Sequence, residues 1–224
     1  MGEGIILKSK KQFAVIGLGR FGKSIISELS RMGYDVLAID NDEENLNDIL
    51  EIASHAVQAD SMDQHALKNL GIKDFDVVIV AIGQNVQVSI LTAITLKELG
   101  VKKIIAKALN ELHGKVLEKI GIDAVIYPER DMAIRLAKNL TSHNVVDQIN
   151  LSPQFSILEI ITPHSFIEKT LVQLDVRKKM QVNVIAIKRG EEIIISPQAD
   201  QIIKANDILV VVGENTHLQK LDEL

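Results

Sequence analysis

Residues 17–24 of this 224-residue chain read GLGRFGKS and satisfy two phosphate-binding patterns at once. As G-x-G-x-x-G (Gly17, Gly19, Gly22) the stretch is a dinucleotide-binding turn, whose glycines let a phosphate approach backbone at the start of a helix. As G-x-x-x-x-G-K-S (Gly17, Gly22, Lys23, Ser24) it is a P-loop, whose lysine reaches the outer phosphates and whose hydroxyl holds magnesium. The first chemistry is recognition; the second is phosphoryl transfer. Other polar groups stand where aliphatic bursts end: Arg20, Asp40, Asp60-Ser61, Gln84-Asn85, Lys107 and Pro128-Glu129. Each alone reads as a solvated loop residue, and only a fold that gathers these ends on one edge makes a site of them.

The elements that must do the gathering are legible from Gln12 to about Thr141. Aliphatic bursts FAVI (13–16), VLAI (36–39), HAVQA (55–59), VVIVAI (77–82), KIIAK (103–107) and AVIY (124–127) alternate with helix-length amphipathic segments. One such segment carries Phe21, Ile25, Leu29 and Met32, and another Leu91, Ile94 and Leu99. Gly33, Gly71, Gly100 and Gly121 close segments of this kind. Alternating βα units predict an α/β fold, a Rossmann-like doubly wound parallel sheet of six strands in the order 3-2-1-4-5-6. A polar stretch, SHNVVDQINLSPQ (142–154), reads as a connection with a short helix at Val145 to Ile149. Beyond it, SILEII (156–161), VNVIAIKR (182–189), EIIIS (192–196) and DILVVVG (207–213), with a helix at Glu168 to Leu174, predict a smaller α+β domain. The expected domains are therefore 1–141 and 155–224, joined by 142–154.

Position bears on which phosphate loop this is. FAVI runs straight into Gly17, and Phe21 shares a helical face with Ile25 and Leu29 only if the helix is already running by Gly19 or Arg20. A P-loop helix would begin nearer Gly22-Lys23 and leave Phe21 on an exposed loop. VLAID delivers Asp40, with Asn41 next to it, where dinucleotide folds place the acid that binds a ribose hydroxyl. The same VLAID imitates the magnesium-binding strand of a P-loop enzyme, so the second pattern stays open, as does a tight turn with no ligand.

Composition narrows the function classes. A net charge of −5 argues against a nucleic-acid partner, which favours a basic face. No Cys excludes disulfides, thiolate metal sites and Cys nucleophiles. No apolar run approaches the roughly 18 residues that span a bilayer. The start, MGEGIILKSKKQF, has too short an apolar core for a signal peptide, and Ile6 breaks the myristoylation pattern, so a soluble cytoplasmic protein is expected. An NAD-dependent oxidoreductase is the alternative function. It needs an acid or base, whereas His164 and His217 fall at strand edges and His55, His65, His113 and His143 lack metal-ligand spacing.

The chain from Lys11 to about Gly213 resembles a known family. KQFAVIGLGRFGKSI, VLAID, ASHAVQADS, KNLGIKDFDVVIVAIG, LKELGV, AKA and LEKIGIDAVIYPERDMA, then LDVR, VNVIAIKRG and ISP, are similar to the RCK (KTN) regulatory subunits of bacterial Ktr/Trk potassium uptake systems, closest to the Ktr type. The resemblance implies a regulatory rather than enzymatic protein with TrkA-N and TrkA-C domains. It implies dimers assembled through a crossover helix into an octameric gating ring, held at the inner face of the membrane by a separate potassium-translocating subunit. ATP or ADP is the implied ligand, with NAD(H) in Trk-type relatives and cyclic di-AMP in the C-terminal domain of several members.

Carried onto this chain, Gly17, Gly19 and Gly22 match the phosphate loop that contains Phe21, Asp40 with Asn41 the ribose contact, and Asp60 and Ser61 the adenosine side. Arg20 matches the arginine that reaches the terminal phosphate of ATP, Asn85 lies on the same sheet edge, and Lys107 matches a basic contact. Glu129 matches an acid that holds a divalent cation near that phosphate. Arg177, Asn183 and Pro197 match the cyclic di-AMP region. Three departures stand out: QADS lacks a glycine common in relatives, MQVNV replaces a common Tyr-Gly, and Lys23 stands where close relatives often carry Gly.

Overall fold

In the first unit the aliphatic bursts become six strands: β1 (Gln12–Ile16), β2 (Asp35–Asp40), β3 (His55–Gln58), β4 (Val77–Val80), β5 (Ile104–Lys107) and β6 (Ala124–Ile126). The structure is a computed structural model that describes residues 10–141 and 144–222; the N-terminal stretch 1–9 and His143, read above, lie outside them. The strands pair in parallel in the order β3-β2-β1-β4-β5-β6, as predicted. Their apolar runs are continuous because both faces are covered. Alternate side chains of β1 serve opposite layers: Val15 packs with Leu18, Ile26 and Leu46, whereas Ala14 and Ile16 pack with Leu67, Ala93, Leu96 and Leu117. Helices α1 (Arg20–Arg31) and α2 (Glu43–Asn47) supply the first of these layers, and α3 (Gln64–Asn69), α4 (Val86–Glu98) and α5 (Glu111–Ile120) the second. Helix α4 buries Ser89, Thr92, Ala93 and Leu96 and leaves Leu91 and Ile94 exposed, so the face inferred from its largest side chains is the outer one.

The chain divides into two units between Glu129 and Arg130, with α6 (Pro128–Thr141) spanning the division. The second unit holds a sheet in the order β10-β9-β11-β8-β7, formed by β7 (Val145–Asn150), β8 (Phe155–Ile161), β9 (Asn183–Arg189), β10 (Glu192–Ile195) and β11 (Ile208–Glu214), all pairs antiparallel. Short helices α7 (Leu171–Leu174) and α8 (Val176–Lys179) and a terminal α9 (Asn215–Asp222) complete it. Two expectations are corrected. Val145–Asn150 is a strand and not a helix, because LSPQ turns the chain back and β7 pairs antiparallel with β8, with one bulge between Val145 and Asp147. The helix expected at Glu168 to Leu174 starts only after Thr170, whose hydroxyl accepts from the Gln173 N–H while the Gln173 side chain accepts from the Thr170 N–H. Asp207, fully buried, takes two hydrogen bonds from the Arg189 guanidinium and ties β11 to β9.

Candidate functional site

The turn after β1 is shaped by what its glycines allow. Gly17 has φ +94, and a Cβ there would stand 3.0 Å from the Ile82 backbone nitrogen. A Cβ on Gly22 would stand 2.0 Å from the Gly17 carbonyl oxygen, so only glycine lets α1 cross this close to the turn. A Cβ on Gly19 would meet nothing within 4 Å, which leaves its side of the turn open to a ligand. Helix α1 starts at Arg20, with Gly19 as a cap that offers no side-chain acceptor and no acid in the first turn. Its first N–H groups and the positive end of its dipole are therefore free for an anion.

The helix start favours the dinucleotide-turn reading of the double motif. Lys23 lies a turn inside α1, its N–H bonded to the Gly19 carbonyl, and its ammonium reaches Asp48 Oδ2 at 2.6 Å and Asn45 Oδ1 at 3.2 Å. The Ser24 hydroxyl donates to the Arg20 carbonyl at 2.9 Å. Both P-loop determinants thus have partners on α1 and α2, as a helix already under way at Arg20 requires.

Opposite the turn, Asp40 at the end of β2 accepts from the Leu18 N–H at 2.5 Å and from the Asp42 N–H at 2.9 Å. The acid is locked to the glycine turn, with Asn41 beside it. At the end of β3, Asp60 accepts from the Met62 N–H, and the buried Ser61 hydroxyl shares a 2.7 Å hydrogen bond with Thr92. Asn85 caps α4 through the Val88 N–H. Lys107 ends β5 nearly buried, with its ammonium 2.5 Å from Glu129 Oε1 and 5.6 Å from the centroid of the Phe21 ring. The Lys107 hydrogen bond, aided by the positive charge of Arg20, holds the Glu129 carboxyl below the usual carboxylate range.

These ends converge on one cleft of about 980 Å³, in the range of small-ligand sites. Of the first-unit residues that the family resemblance assigns to the ligand, all line it except Gly22, which sits beneath the turn; Lys23 and Pro128 do not line it. Asn45, Met62 and Leu109 also line it and were missed. They lie past the strand ends, and only Asn45, five residues after Asp40 on α2, follows a signal close enough to have found it. Among the described residues no histidine lines the cleft. A hard divalent cation needs several oxygen ligands. Among the described residues no three His, Cys, Asp or Glu side chains gather to supply them. Glu129 alone, its side chain 71% exposed, fits such an ion only if phosphate oxygens and water complete the shell.

In the second unit, Arg177 on α8 donates to Asn183 Oδ1 on β9 at 3.3 Å, not to Asp175. Pro197 follows β10, after Ser196 with φ 52.

The TrkA-N domain model matches residues 13–128 and the TrkA-C domain model residues 157–224. The chain is 52% identical to Ktr system potassium uptake protein C of Bacillus subtilis (strain 168) over 214 residues, 96% of this chain and 97% of that protein. It is 45% identical to Ktr system potassium uptake protein A of the same organism over 212 residues, 95% and 96% of the two chains. Among solved structures, a GsuK channel bound to NAD shares the fold at a TM-score of 0.67 and 18% identity, over 97% of this chain and 40% of that one.

Proposed function

The chain belongs to the family of paired TrkA-N and TrkA-C domains found in Ktr potassium uptake proteins, and from that premise we propose that it is a non-enzymatic, cytosolic regulatory subunit of a potassium transport system. It binds ATP or ADP and relays which of them is bound to a separate membrane subunit. The observation that carries this reading is the single cleft lined by the glycine turn, Arg20, Asp40, Lys107 and Glu129.

In this reading the phosphates lie on the free N–H groups of α1, the ribose lies against Asp40 and Asn41, and the adenosine side faces Asp60, Ser61 and Asn85. Arg20 offers planar donors to the last phosphate, which ADP lacks. A divalent cation accompanies ATP at Glu129 and offsets repulsion between carboxylate and phosphate. Lys107, now paired with Glu129, is then free to turn toward phosphate. ATP shifts a two-state assembly only by binding its states unequally, and the additional phosphate is the source of that inequality. NAD(H) is the competing ligand, supported by the NAD of the like-folded channel.

The assembly is an octameric ring of dimers held at the inner face of the membrane by its potassium-translocating partner. No helix among the described residues is long and apolar enough to cross a membrane, in keeping with a separate translocating subunit. Exposed Met132, Ile134, Leu136 and Leu140 on α6 give such a ring apolar surface between copies. Cyclic di-AMP is the proposed ligand at Arg177, Asn183 and Pro197. Isothermal titration with ATP, ADP and NADH, paired with scattering of the assembly, tests the reading. Binding of ATP and ADP with different assembly shapes is expected; preference for NADH with no ATP effect on shape overturns it.

A further inference from the structure

Lys23 belongs to a motif that the phosphate-binding function leaves unused, and its contacts give it another task. An ammonium is a donor without acceptor capacity, so the Asn45 atom facing it at 3.2 Å must be the amide oxygen. The same ammonium is anchored at 2.6 Å by Asp48 on the next turn, and the Lys23 side chain is only 26% exposed. The Asn45 amide is therefore fixed in one orientation, with its NH2 group turned away from Lys23. Asn45 lines the cleft beside Asn41, and its NH2 has no hydrogen-bond partner among the described residues.

Asp40 can only accept from a nucleotide, and it already accepts two backbone N–H groups. A sugar hydroxyl is both donor and acceptor. It satisfies both capacities when a carboxylate takes its proton and an amide NH2 donates to its oxygen. We propose that Asn45 is that second contact, a ribose-reading donor for the nucleotide, and that Lys23 is the positioning residue that sets its orientation. This rests on the nucleotide reading above and adds a specificity to it: ribonucleotides are preferred over deoxynucleotides because the hydroxyl is read from two sides.

The test is calorimetric affinity for ATP, 2′-deoxy-ATP and 3′-deoxy-ATP, measured on the whole chain and on Asn45→Ala, Asn45→Asp, Lys23→Met and Lys23→Arg. The Asp variant keeps the contact with Lys23 and removes the donor, so it separates recognition from folding. In the wild type ATP binds more tightly than at least one deoxy analogue. In both Asn45 variants that ratio falls by about three- to tenfold, the worth of one hydrogen bond. Lys23→Met lowers it in the same direction, and Lys23→Arg retains it. An unchanged ratio in the Asn45 variants, or an equal loss for all three nucleotides, overturns the ribose contact. A ratio that falls with Asn45 but not with Lys23→Met overturns the positioning role. Failure of the wild type to bind ATP, ADP or NADH overturns the nucleotide reading, and this inference with it.

Discussion

The two units solve the same backbone problem in opposite ways. In the first, every described residue with positive φ is a glycine: Gly17, Gly33, Gly71, Gly100 and Gly121. In the second, Gly190 is joined by Glu168, Asp175, Gln181, Ser196 and Asn206. Left-handed backbone costs a residue with a side chain about 1–2 kcal/mol, less for Asn and Asp. The first unit avoids that cost where strands feed helices and a ligand must approach backbone. The second accepts it, at Asp175, Gln181 and Ser196 within two residues of Arg177, Asn183 and Pro197.

The largest expected effect sharpens the first half of this contrast. Gly22→Ala places a carbon against the Gly17 carbonyl and should cost about 3 kcal/mol or more in chemical denaturation, since the turn must move. Gly19→Ala, with open space and φ −66, should change stability by less than about 0.5 kcal/mol while weakening nucleotide binding. Equal stability losses would show that the turn is not shaped by backbone approach.

The next effect probes the second half. Gln181→Gly, at φ 58, should stabilise the protein by about 1 kcal/mol. No gain, or a loss, in the denaturation midpoint would mean that the side chain repays its own strain.

The smallest effect concerns acid. His113 is buried with Nε2 unpartnered, and burial lowers its pKa from 6.5, so protons favour the unfolded chain and stability falls as pH drops below that value. Burial raises the pKa of Asp207, but the hydrogen bonds from Arg189 and the Lys204 N–H, with the charges of both residues, together leave it below 3.8, so its contribution is kept until pH falls below that value. Hydrogen exchange resolved by unit should loosen the first unit before the second between pH 6.5 and 4, and the reverse order would contradict the contrast.

The same difference explains what was legible. In the first unit, buried parallel strands leave continuous aliphatic runs and glycines punctuate the helix ends, so strand order and most of the polar residues lining the cleft could be read from sequence. In the second, turns without glycine and half-exposed strands blur the pattern, and Val145–Asn150 passed for a linker because its ladder partner lies beyond the LSPQ turn. Asn45 was missed for another reason. Its role depends on a lysine 22 residues away that carries a different motif.

In the proposed function, the cleft distinguishes nucleotides by their last phosphate through Arg20. The most direct test of this is the ratio of ATP to ADP affinity before and after Arg20→Ala. ATP should lose about tenfold or more, the worth of a charge-assisted hydrogen bond, and ADP less. Equal losses for both would contradict it.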